Sequence, residues 1–187
     1  MPFLSFLLLF PLVGALVIAC IPSWKVRAIK TIALCTSLIN FIVACGLWLV
    51  FDNSTAKFQF VEHIGWLPFF NMNAYIGIDG ISLFFIVLTT FLVPVCLLVG
   101  WVNISKHIKE YCLAFLVLET CMLAVFCMLD LLLFYVFFES VLLPMFLIIG
   151  VWGSRARKIR AAYQFFLYTL IGLSLIHISE PTRRRGI

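Results

Sequence analysis

The sequence predicts an all-α, polytopic membrane protein of about six transmembrane helices, and three observations predict it. Hydrophobic residues make up 65% of the 187-residue chain and charged residues 11%, against about 25% charged in soluble domains. No aqueous fold of this length hides that much apolar surface. Apolar runs of about 18 residues or more, long enough to cross a bilayer as helices, recur along the chain. The basic residues then gather at alternate ends of those runs. Nine Lys and Arg follow the first, third and fifth runs, and one follows the second and fourth. The basic side is the cytoplasm or the mitochondrial matrix, with the N-terminus opposite. The net charge of +5 therefore reads as topology and not as nucleic-acid binding.

The first span is predicted over 3–21, with Pro11 expected to kink it, Pro22 ending it and Trp24 as an interfacial anchor. It lacks a basic leader and reads as a retained helix, not a signal peptide. The second span, 29–51, carries Asn40 and Gly46, residue types that usually mark contacts between membrane helices. Residues 52–80 form the only long loop. Partial alternation in FQFVEHIGWLPFF up to Pro68 predicts a short hairpin or surface-lying segment. The third span, 81–101, starts behind Asp79, which reads as an N-cap, and is interrupted by Pro94. The fourth covers 111–129. Asp130 marks a tight turn into the fifth, 131–151, where Pro144 removes a hydrogen bond to Ser140 and predicts an opened helix. The sixth, 161–178, runs into three consecutive arginines on the side that should be poor in them.

Two spans hold acids. Glu139 sits near the middle of the fifth and Glu119 lies in the fourth. An ionisable group at that depth costs several kcal/mol and marks a functional position by default. The bland alternative is a neutral carboxyl hydrogen-bonded to a neighbouring helix for packing. Tyr135 lies one turn before Glu139, on the same face, so its hydroxyl is within reach of the same polar region. Glu119 is either a second proton station or a structural partner. The seven cysteines form no CxxC pair, have no histidine at ligand spacing and read as small buried hydrophobes, not metal ligands. No nucleotide loop, flavin motif or iron–sulfur cysteine set appears, so no redox cofactor is expected in this chain.

LDLLLFYVFFESVLLPMFLIIGVWGSRARKIRAAYQFFLYTLIG, GIDGISLFFIVLTTFLVPVCLLVGW and the spacing of Glu119, Asp130 and Glu139 resemble the chain-4 family of antiporter-like membrane subunits of NADH:ubiquinone oxidoreductase, respiratory complex I. The resemblance runs from the N-terminus to about Gly172. It implies a proton-translocating membrane-arm subunit whose intact form has about fourteen helices, with residues 1–172 as its N-terminal transmembrane region. It implies other membrane-arm subunits and the lipid bilayer as partners, with NADH and ubiquinone handled by other subunits. The compartment it implies is the mitochondrial inner membrane, a bacterial inner membrane being the alternative. Glu139 matches the family's essential helix-five glutamate, paired there with a lysine on a later helix. All thirteen basic residues here lie in loops, at span ends or in the tail, so that lysine is absent. Residues 173–187, LSLIHISEPTRRRGI, depart from the family pattern and read as a foreign or aberrant tail.

The mechanism these residues allow is electrostatic. A carboxyl group in low dielectric favours its neutral form and an approaching ammonium favours the ionised one, so a moving cation drives proton uptake and release. Two rivals stand beside this reading: a subunit of a multisubunit sodium/proton antiporter, and a scaffold segment whose acids only hold helices together.

Overall fold

The computed structural model describes residues 3–52, 58–67, 72–104, 106–153 and 157–183, and the side chains within them apart from 63–67, 72–74 and 173–183. Lys57, Pro68, Arg155 and the side chains of the expected foreign tail lie outside the described residues. The chain divides into two compact units, Met1–Val141 and Leu142–Ile187.

The first unit is built on four helices, α1 (Phe3–Cys20), α2 (Val26–Val50), α3 (Gly80–Asn103) and α4 (Ile108–Cys127). An antiparallel hairpin of β1 (Gln59–Leu67) and β2 (Met72–Ile78) joins α2 to α3. A fifth helix, α5 (Leu131–Trp152), begins in this unit and ends in the second, where α6 (Lys158–Arg183) follows. Among the described residues, α1 to α5 are long and apolar enough to cross a membrane, and the chain is a multi-pass membrane protein. Most helix ends lie within a turn of the ends of the spans expected from the sequence. α4 lies earlier than predicted, because Met128 leaves the helix to bridge Ile76 of the hairpin. Neither Pro11 nor Pro144 breaks its helix. In α5 the expected opening beyond Glu139 is not observed, since losing one backbone hydrogen bond leaves those on either side to hold the turn.

The core of the first unit lies at one end of the bundle, under the hairpin. Leu4, Leu7 and Leu8 of α1 meet Ala44 and Leu47 of α2, Leu83 and Ile86 of α3, and Leu123, Ala124 and Cys127 of α4, and Ile76 and Ile78 of β2 close over them. Burying each of those two isoleucines stabilises by about 1.5–3 kcal/mol where water is the alternative. Towards the other end of the bundle a small residue lets a side chain of the next helix seat directly on the backbone. A Cβ on Gly100 of α3 would lie 2.6 Å from the Tyr111 hydroxyl of α4, which donates to the carbonyl of Cys96 at 3.2 Å. Gly46, expected at a helix contact, faces open space. In the second unit, Phe146 of α5 meets the rings of Tyr163 and Phe166 of α6 edge-on at 5.4 and 5.7 Å.

The odd-numbered helices share one pattern of charge. The free N–H groups at their starts point at carboxylates. Glu62 of β1 accepts from the amides of Leu4 and Ser5 at 3.0 and 3.2 Å and from the Ser5 hydroxyl. Asp79 accepts from Gly80 at 2.5 Å, as the N-cap reading predicted, and Asp130 from Leu132 at 2.9 Å. Their last carbonyls meet lysines. Lys109 donates to Ala19 and Ile21, both at 2.9 Å, Lys30 to Trp101 at 2.7 Å, and Lys158 to Val151 at 2.6 Å. Lys109 and Lys158 stand in the first turn of an even-numbered helix, where their own helix dipole disfavours them, and Lys30 stands in the second turn of α2. The C-terminus of the helix that each lysine reaches favours its charge.

Candidate functional site

Glu119 and Glu139 each stand eight residues from the turn that joins α4 to α5. At 1.5 Å per residue that is about 12 Å into either helix, so the chain carries its two intramembrane acids at one depth. Asp130 anchors the turn between them through its bond to Leu132, and the amide of Leu129 donates to the Tyr75 carbonyl of the hairpin at 2.9 Å. The depth is thus fixed from the hairpin side.

The two acids have different surroundings. Glu119 is wholly buried. The side-chain amide of Asn40, equally buried near the middle of α2, donates from Nδ2 to its Oε1 at 2.7 Å. Glu139 is half-buried and accepts from the Tyr135 hydroxyl at 3.1 Å on Oε1, the contact that helical spacing predicted. The Ser140 hydroxyl turns back to the Val136 carbonyl at 2.8 Å. Among the described residues no hydrogen bond joins Glu119 to Glu139, and no cluster of His, Cys, Asp and Glu is arranged to hold a metal.

Sequence reading passed over Asn40 as an ordinary helix contact. The signal that would have found it is that Asn40, like Glu119, stands near the middle of an otherwise apolar span, where an amide needs a partner. Of the cysteines, Cys112 and Cys127 are buried, Cys45, Cys96 and Cys121 are half-buried, and Cys20 and Cys35 face outward. The expectation of small buried hydrophobes fits the first two, while among the described residues no element covers the last two, which lie on outward faces of apolar helices.

Residues 128–179, which include Glu139, match the family described as NADH:quinone oxidoreductase/Mrp antiporter, TM. NADH-ubiquinone oxidoreductase chain 4 of Arabidopsis thaliana is 64% identical over 169 residues, 90% of this chain and 34% of that protein. Over nine tenths of its own length this chain is similar to NADH-ubiquinone oxidoreductase chain 4. The chain 4 of Marchantia polymorpha is 63% identical over the same shares of both chains. Among solved structures, respiratory complex I from Thermus thermophilus with bound NADH superposes with a TM-score of 0.73 at 28% identity, over 91% of this chain and 33% of the matched one. The chain thus spans about a third of the length of the chain 4 relatives it matches.

Proposed function

We propose that this chain forms part of a proton-translocating membrane-arm subunit of NADH:ubiquinone oxidoreductase, with Glu139 as a proton-transfer residue and Glu119 as a second station. The observation that carries the reading is the pair of carboxyl groups held at one depth, about 12 Å from the α4–α5 turn, within a chain similar to chain 4 over nine tenths of its length. The two sites suit different tasks. Glu139 is half-open, and one of its oxygens is oriented by Tyr135, which leaves room for an approaching cation or proton carrier. Glu119 is sealed inside the helix bundle and held by an amide.

Each acid gains a proton on one oxygen and loses it there, and a cation brought near Glu139 favours the loss. Among the described residues Lys30, Lys109 and Lys158 are held on helix ends, and the cation is taken to come from another part of the subunit. NADH and ubiquinone are handled by other subunits of the complex, and this chain carries no redox centre. The other membrane-arm subunits are its partners. The mitochondrial inner membrane is the compartment, in keeping with the 64% and 63% identity to chain 4 of Arabidopsis thaliana and Marchantia polymorpha against 40% to subunit M of Rickettsia felis. The family match runs on to residue 179, so the foreign tail expected from residue 173 is proposed only for the residues after 179, and sequencing the transcript past the Gly172 codon tests that directly.

A sodium/proton antiporter is the second reading, favoured by the family description that joins the two groups. Introducing Glu139→Gln into the full-length subunit within its complex, in vesicles carrying an internal pH dye, separates the readings. NADH-driven acidification falls at least about 10-fold, as for loss of a positioned acid–base group, while NADH oxidation by an artificial acceptor persists. Flux that requires a sodium gradient and no NADH supports the antiporter. Unchanged acidification in the variant leaves only the scaffold role.

A further inference from the structure

The pair formed by Asn40 and Glu119 has an unfinished edge. Asn40 Nδ2 donates to Glu119 Oε1 at 2.7 Å, while Asn40 Oδ1 and Glu119 Oε2, both wholly buried, have no hydrogen-bond partner. Two buried acceptors without a donor, on side chains already joined by one hydrogen bond, are an expensive arrangement in low dielectric. The neighbouring buried hydroxyls do not supply the donor. Thr36 donates to Ile32, Ser37 to Leu34, Thr89 to Phe85, Thr90 to Ile86 and Val87, and Thr120 to Leu116, all backbone carbonyls of their own helices.

We infer that Asn40 and Glu119 form a one-proton site, an amide–carboxylic acid pair in which Glu119 is held as the neutral acid and its Oε2–H donates to Asn40 Oδ1. A carboxylic acid offers one donor and one acceptor on one edge, and so does a primary amide. The observed bond is half of the ring that the two edges can close, and one proton on Oε2 supplies the other half. Ionised, Glu119 is an acceptor only and leaves Asn40 Oδ1 facing a carboxylate. Asn40 is accordingly a positioning residue that holds the proton of Glu119. The role of this site in transport rests on the proton-transfer reading above, whereas its occupancy is read without any flux.

The test uses the full 187-residue chain carrying glutamate labelled with carbon-13 at Cδ, reconstituted in phosphatidylcholine vesicles at neutral pH and examined by infrared spectroscopy. The wild type shows a protonated carboxyl C=O band that Glu119→Gln removes. Asn40→Leu shifts that band to higher frequency, because the C=O loses its amide donor. Glu119→Gln puts an amide where the acid stood, preserves both bonds of the ring and keeps the thermal stability of the wild type. If Asn40→Leu fails to fold, the solid-state NMR shift of the Glu119 Cδ in the wild type, assigned by its absence from Glu119→Gln, still reads acid or carboxylate. A carboxylate signature for Glu119, as a water donating to both oxygens would give, overturns the inference. So does a C=O band indifferent to Asn40→Leu.

Discussion

Tyr135 and Glu139 show what one turn of helix can do for a membrane acid. Four residues separate them, which places both side chains on one face, and the hydroxyl meets a carboxylate oxygen at 3.1 Å. A hydrogen bond to a charged group contributes about 1.5–3 kcal/mol at most and less where water reaches it. Tyr135→Phe should therefore lower pumping by the full-length subunit several-fold without abolishing it, as measured by NADH-driven acidification, whereas Glu139→Gln abolishes it. Equal loss in both variants would make the tyrosine a proton carrier in its own right. Both acids were legible in the sequence because a carboxyl group amid apolar residues has so few tolerable explanations. Asn40 was not, because an amide in a span is common enough as glue and only the fold reveals that it faces Glu119. Glu62 was hidden for a similar reason. It caps a helix whose first described residue is 59 positions earlier, and no local pattern records a cap supplied from so far along the chain.

At the scale of elements, the helices were readable from length and polarity, and their charged ends were readable as topology. What the sequence did not disclose is that the basic residues which set orientation also complete helix ends. Lys109 bonds two carbonyls at the end of α1 and Lys30 bonds one at the end of α3, where it also stands 5.5 Å from the Trp101 ring. A cation at a helix C-terminus contributes about 0.3–1 kcal/mol, so Lys109→Met should lower the thermal midpoint of the detergent-solubilised chain more than substitution of the exposed Lys25 by Met does. Equal shifts would reduce both lysines to topology signals. At the opposite end, Glu62→Ala removes the acceptor for two amides and a hydroxyl of α1. It should cost about 0.5–2 kcal/mol, as for loss of an N-cap, read as a lowered thermal midpoint. The hairpin was legible as an alternating segment, but not its irregular register. Phe60 adopts a positive φ of 54° between the paired positions Gln59 and Glu62, a bulge that alternation alone cannot forecast.

Across the whole molecule, the hairpin, the start of α1 and the α4–α5 turn are tied to one another by Glu62 and Tyr75. The loops holding Lys25 and Lys106 belong to the other ends of those helices. The positive-inside rule assigns that second end to the matrix or cytoplasm. With the seven native cysteines replaced, Asp52→Cys should react with a membrane-impermeant thiol reagent only from the side opposite to Lys106→Cys, and labelling of both from one side would overturn the topology. The central claim, that Glu139 passes protons rather than holding helices together, is tested most directly by the ratio of protons moved to NADH oxidised. It is measured in vesicles containing the full-length subunit within its complex, comparing wild type, Glu139→Asp and Glu139→Gln. Proton transfer requires a carboxyl group, so Glu139→Asp should retain part of the ratio and Glu139→Gln should lose it. A Glu139→Gln complex that assembles, oxidises NADH and keeps the wild-type ratio would contradict the claim.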